Sequence, residues 1–166
     1  MPKLAPTANH AVSVIALSDP AIDWESAGDE IAAIAEKYRD TLDESLLPLR
    51  SGMTPVRWLC RPLKPVEHSD AAAQMQAEHE ESPMAWVPFV RAGFVGAENI
   101  PEEFGMPVFT ERLGVRRCAL DWLLGLPPEI ITDLGMAIVQ LSTADESTKK
   151  KLSAWRGRQS SETPKE

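Results

Sequence analysis

The chain has 166 residues with 25 acidic and 17 basic side chains, a net charge of −8, and is long enough for one domain with a core of its own. The acidic balance argues against a nucleic-acid binder that neutralises phosphates and against anionic membrane surfaces. No apolar run approaches the roughly 20 residues needed to span a bilayer, no N-terminal run has the form of a signal peptide, and Cys60 and Cys118, too far apart for a CxxC pair, read as reduced, buried cytosolic thiols.

Met1 to His10 is Pro-containing and irregular and is expected to be a flexible arm. Ala11–Leu17 is a short β-branched run and reads as a strand, ended by the turn chemistry of Ser18, Asp19 and Pro20. From Ser26 to Tyr38 the spacing predicts a helix with Ile31, Ile34, Ala35 and Tyr38 on one face. Val56–Leu63 is the second strand candidate. Alternation places Val56, Trp58 and Cys60 on one side and Arg57, Leu59 and Arg61 on the other. Pro62 cannot donate to a ladder, so this strand is expected at an edge or at its own end, paired with Ala11–Leu17 as a ribbon.

Residues 65–81 have helical composition but a poor apolar face, limited to Ala71, Ala72, Met75 and His79. Ser82 is the candidate N-cap of a next helix. That helix has Pro88 in or near its first turn, its apolar face runs from Met84 through Trp86, Val87 and Val90 to Phe94, and Gly93 and Gly96 close it. Residues 97–109 read as a connector and Arg116–Leu124 as a short helix stopped by Gly125. Leu126–Ser142 carries the clearest helix signal. Pro128 suits the first helical position, Glu129 meets the positive end of the dipole, and Ile131, Leu134, Ile138 and Leu141 line one face. Gly135 sits inside this helix, where close approach by another helix or a bend would explain it. Asp145 to Trp155 is expected to add a helical turn or two, and 156–166 to be a disordered polar tail. Together these elements predict a mainly α fold with a small two-stranded β element, a single compact domain over residues 11–155.

Chemistry-bearing residues do not converge. His68 and His79 are eleven residues apart, about 16 Å along a helix and too far for one metal ion. Glu78, Glu80 and Glu81 lack the ligand spacing of a calcium loop. Gly93-Phe-Val-Gly96 lacks the glycines and Lys-Ser/Thr of a phosphate loop. The reading is a non-enzymatic protein with no catalytic residues, no cofactor and no metal. Tryptophan is enriched both in cores and at interface hot spots. Trp58, Trp86, Phe94 and Trp122 are therefore core candidates and also the candidate partner-binding anchors.

Three stretches carry a resemblance. Trp58–Leu63, WLCRPL, resembles an aromatic-x-x-Arg-Pro-Leu strand of tailed-phage proteins. Val90–Asn99, VRAGFVGAEN, resembles their RxGLVGxEN segment. Leu126–Ser142 resembles their LPxExIxELGxxIxxxS helix. The family is that of siphophage tail assembly chaperones. The resemblance implies a non-enzymatic chaperone in the cytoplasm of the infected host cell, binding tape-measure or tail-tube protein during virion morphogenesis, or self-associating. The alternative it implies is a structural virion component: a head–tail connector, tail or decoration subunit. It supplies no catalytic residues.

Overall fold

The computed structural model describes residues 11–76 and 82–143. The expected arm at 1–10, the turns at 145–155, the tail at 156–166 and the end of the acidic helix at 77–81 lie outside the described residues.

Strand β1, Val12–Val14, runs antiparallel to β2, Arg57–Cys60, with Val12 opposite Cys60 and Val14 opposite Trp58. The predicted ribbon is therefore present, and the predicted alternation holds: Val56, Trp58 and Cys60 are all buried. Asp19 joins the two strands more tightly than turn chemistry suggests. Its buried carboxylate accepts the Ala21 amide at 2.8 Å and the Val56 amide at 3.0 Å, so one side chain fixes the exit of β1 and the start of β2.

The helix expected at Ser26–Tyr38 is broken. Helix α1 (Trp24–Ala27) gives way to a 3₁₀ turn at Gly28–Glu30, and helix α2 (Ile31–Thr41) follows. Gly28 has φ +61°, a backbone that cannot continue a helix. Ala35 and Tyr38 are buried as predicted, but Ile31 is exposed. Helix α3 (Pro65–Gln76) starts with Pro65, and Glu67 reaches back to accept the Lys64 amide at 2.9 Å, half of a capping box. Ser82 caps a 3₁₀ turn, Pro83–Trp86, its Oγ accepting the Met84 amide at 3.2 Å. Helix α4 (Val87–Gly93) carries Pro88 in its first turn.

Beyond α4 the expectation fails. Phe94–Glu98 is strand β3, paired antiparallel with β2, so the sheet has three strands in the order β1-β2-β3 and β2 is central. Pro62 falls beyond the end of β2, where its missing donor costs nothing. Phe109–Arg112 (β4) and Val115–Cys118 (β5) form a separate hairpin, and the helix expected at Arg116–Leu124 shrinks to α5, Leu120–Leu123. Of the described residues 52% are helical and 17% are in strands, arranged in two sheets. A mainly α fold with one two-stranded ribbon is thus the wrong class: the strands are a layer on which the helices pack. The periodicity of 84–94 hid this, because Phe94 is apolar in either reading and only its pairing partner makes it a strand.

Helix α6, Pro128–Thr143, crosses this layer. Ile130, Ile131, Leu134, Ala137, Ile138 and Leu141 are all buried, worth on the order of 10 kcal/mol before entropy is subtracted. Two glycines allow its contacts. A Cβ on Gly93 would meet the Ile138 side chain at 2.7, 2.8 and 2.9 Å, and a Cβ on Gly135 would meet Trp86 Cβ at 2.7 Å. Gly135 is therefore explained by the close approach of the Pro83–Trp86 turn. A smaller cluster of Ile15, Ile22, Tyr38 and Leu47 lies between α2 and the loops around β1.

Candidate protein-interaction surface

The four aromatic anchors separate into two places. Trp58 and Phe94 are core residues, 0% and 2% exposed. Phe94 stacks on Trp122 with centroids 5.6 Å apart and planes at 8°, on Phe109 at 5.7 Å, and tilts against Trp58 at 5.9 Å. Trp122 is partly exposed, and its indole N–H donates to the Phe104 carbonyl at 2.9 Å. Trp58, Phe94 and Trp122 thus form one aromatic stack. Trp86 is elsewhere, half-buried against Gly135 and 6.1 Å from Phe89. A partner cannot reach Trp58 or Phe94 without opening the core; Trp86 and Trp122 retain an exposed edge.

The stack's structural role is to seat the β4–β5 hairpin. Phe109 and Cys118 face each other at the hairpin's base, Phe109 lies on Phe94, and the Arg116 guanidinium covers the Phe109 ring at 4.1 Å. The remainder of the hairpin projects. Alternation puts Val108, Thr110 and Arg112 on its outer face on one strand and Val115 and Arg117 on the other. Val108 and Val115 are exposed, and Met106 precedes them, also exposed. Arg112, Arg116 and Arg117 make no ion pair among the described residues, whereas Arg50, Arg57 and Arg61 are paired with Asp23, Glu44 and Glu67.

At the tip, Leu113 (φ +54°) and Gly114 (φ +78°) form the two-residue turn whose twist suits a hairpin. Gly114 adopts that backbone freely. Leucine in the left-handed region costs on the order of 1 kcal/mol, and Leu113 is 95% exposed, so no packing offsets the cost. Sequence reasoning missed this surface. The one local signal was the glycine-containing pair Leu113-Gly114, because neither Phe109–Arg112 nor Val115–Cys118 alternates apolar and polar residues.

A second feature lies at the other edge of the sheet. A groove of about 840 Å³ opens beside β1 with walls from Val12, Leu42, Leu47 and Leu49 and with Asp43 and Glu44 among its lining residues. The Ser13 hydroxyl lines it and has no hydrogen-bond partner among the described residues. In a separate, smaller pocket of about 210 Å³ the Tyr38 hydroxyl accepts the Ile15 amide at 2.8 Å, and burial pushes the Tyr38 phenol up to about 12. Next to it, Asp133 accepts the Leu17 amide at 2.9 Å, and burial raises its carboxyl above the ordinary range. Arg57 on β2 grips Glu44 with two guanidinium nitrogens, Nε at 3.2 Å from Oε1 and Nη2 on Oε2. These contacts are structural: they fasten α2 and α6 to the strand.

Among the described residues no group of three or more His, Cys, Asp or Glu is placed to hold a metal ion, and no helix is long and apolar enough to cross a membrane. The segments that carry the family resemblance, β2 with its exit, the α4–β3 junction and α6, all contribute to one buried cluster. Comparison with protein-family models, with curated proteins and with solved structures finds no match.

Proposed function

We propose that this chain is a non-enzymatic assembly factor that works by protein–protein contact. The observation carrying the reading is the projecting hairpin: a strained, 95% exposed Leu113 flanked by exposed Val108 and Val115 and by arginines that make no ion pair among the described residues. Exposed apolar side chains disfavour the isolated chain and are covered by a partner. The resemblance in Trp58–Leu63, Val90–Asn99 and Leu126–Ser142 supplies the setting, the assembly of a siphophage tail in the cytoplasm of the infected cell. There the protein would cover apolar surface of a tape-measure or tail-tube protein before it polymerises.

Mass spectrometry of purified phage particles beside the infected-cell lysate tests this. Abundant protein in the lysate and none in particles is expected. Stoichiometric protein in particles would overturn the assembly-factor reading and make the chain a structural virion component.

A further inference from the structure

Building on the reading of the hairpin as a contact surface, we propose that the β4–β5 hairpin is a docking arm for the β1-edge groove of a second copy of this chain, so that copies join head to tail.

The sheet order is the first argument. The strands run β1-β2-β3, the hairpin packs beside β3, and the groove opens beside β1. Arm and groove are thus at opposite edges of one sheet. An arm so placed serves the groove of a neighbour, and a contact between two different surfaces propagates into a ring or an open chain instead of closing as a symmetric dimer.

Backbone geometry gives the second. Amide and carbonyl groups of alternate strand residues point the same way. The Ile15 amide is turned away from β2 onto Tyr38, so the Ser13 amide and carbonyl face that same side, where β1 has no strand neighbour among the described residues. An unpaired edge of this kind accepts an added strand. The arm's outer strand, β4, is itself without a neighbour on one side. Pairing β4 to β1 would satisfy both.

Charge and shape complete the match. Asp43 and Glu44 line the groove, Glu44 already paired with Arg57, and the segment 11–50 that contributes most of its walls carries nine acidic and three basic side chains, while residues 105–118 carry Glu111 against Arg112, Arg116 and Arg117. The arm is the basic element of an acidic protein, and the surface it best complements among those described is the acidic lobe of another copy. Leu113 at the tip then meets Leu42, Leu47 and Leu49, which gives its exposure an apolar destination.

Light scattering coupled to size exclusion, on the full chain over a wide concentration series, tests the proposal with two surface variants. Leu113→Asp removes the tip, and aspartate tolerates the left-handed turn. Ser45→Lys, at an exposed groove position, opposes the arm's arginines. Wild type should grow in mass with concentration and dissociate in high salt. Each variant alone should associate about tenfold or more weakly, with an unchanged circular dichroism spectrum. Mixed one to one, the two variants should form a 1:1 dimer and stop there, because the mixture holds one intact arm and one intact groove per pair. Wild type that stays monomeric overturns the self-docking, as does Leu113→Asp that associates like wild type or a mixture that fails to pair. Capture of nucleic acid or of a different protein by a wild type that stays monomeric also overturns it. Such a monomer leaves the assembly-factor reading standing, because that reading is decided by the particle and lysate comparison.

Discussion

Adding one methyl group at Gly93 tests the packing of α4 on α6. In Gly93→Ala the new Cβ would lie 2.7 Å from Ile138 Cδ1, 2.8 Å from Cγ2 and 2.9 Å from Cγ1. Ile138 is 0% exposed, so its side chain has no open space to move into. Overpacking of this kind costs about 1–3 kcal/mol. Alanine's better helix propensity returns less than about 1 kcal/mol here, because Gly93 is the last residue of its helix. The single variant should therefore lose about 1–2 kcal/mol. Ile138→Ala alone should lose about 2–5 kcal/mol through the cavity it opens. In the double variant the three clashing atoms are gone and the new methyl fills part of the void, so the losses should fall short of their sum by about 1–3 kcal/mol. Urea unfolding followed by tryptophan fluorescence measures all four corners of the cycle. Additive losses, or a Gly93→Ala protein as stable as wild type, would refute the close-packing argument.

Three further predictions use separate parts of the molecule. The Arg61 guanidinium holds the Glu67 carboxyl below its ordinary range through contacts of 3.1 and 2.9 Å. A lowered carboxyl stabilises the fold above about pH 4.3 and loses that contribution as acid protonates it. Glu67→Gln should then cost about 1–2 kcal/mol at pH 7, with the gap closing in urea titrations below the ordinary glutamate range; a gap that persists there would count against the ion pair. Burial pushes the Cys60 and Cys118 thiols up to about 12, so alkylation at pH 8 should be about a hundredfold or more slower in the native protein than in denaturant; equal rates would show that the thiols are accessible. Asp19→Ala strands the Ala21 and Val56 amides and should cost about 2–4 kcal/mol, with Asp19→Asn intermediate because it keeps one acceptor. Calorimetry of the two variants ranks them, and a neutral Asp19→Ala would sink the assignment of both bonds.

Some of this protein was determined by the sequence alone. The face Ile131, Leu134, Ile138, Leu141 declares itself because a helix repeats every 3.6 residues, and all four are buried. The alternation through Val56, Trp58 and Cys60 and the Ser82 cap were legible for the same reason: each is a local rule acting on neighbouring residues. The third strand and the hairpin were not. Phe94–Glu98 is extended because β2 offers it a ladder and Gly93 lets α6 come close, and neither condition is visible within the segment. Arg116–Cys118 carries no strong β signal of its own and becomes a strand only opposite Phe109–Glu111.

The candidate anchors divide along the same line. Composition points to Trp58, Trp86, Phe94 and Trp122 but cannot distinguish a core aromatic from an interface aromatic, since both are large and apolar. The tertiary structure placed Trp58, Phe94 and Trp122 beneath the hairpin, left Trp86 half-buried against Gly135, and brought Leu113 to the surface. What covers an apolar side chain is decided by residues distant in the chain, and that is why the fold alone could separate buried aromatics from exposed apolar side chains.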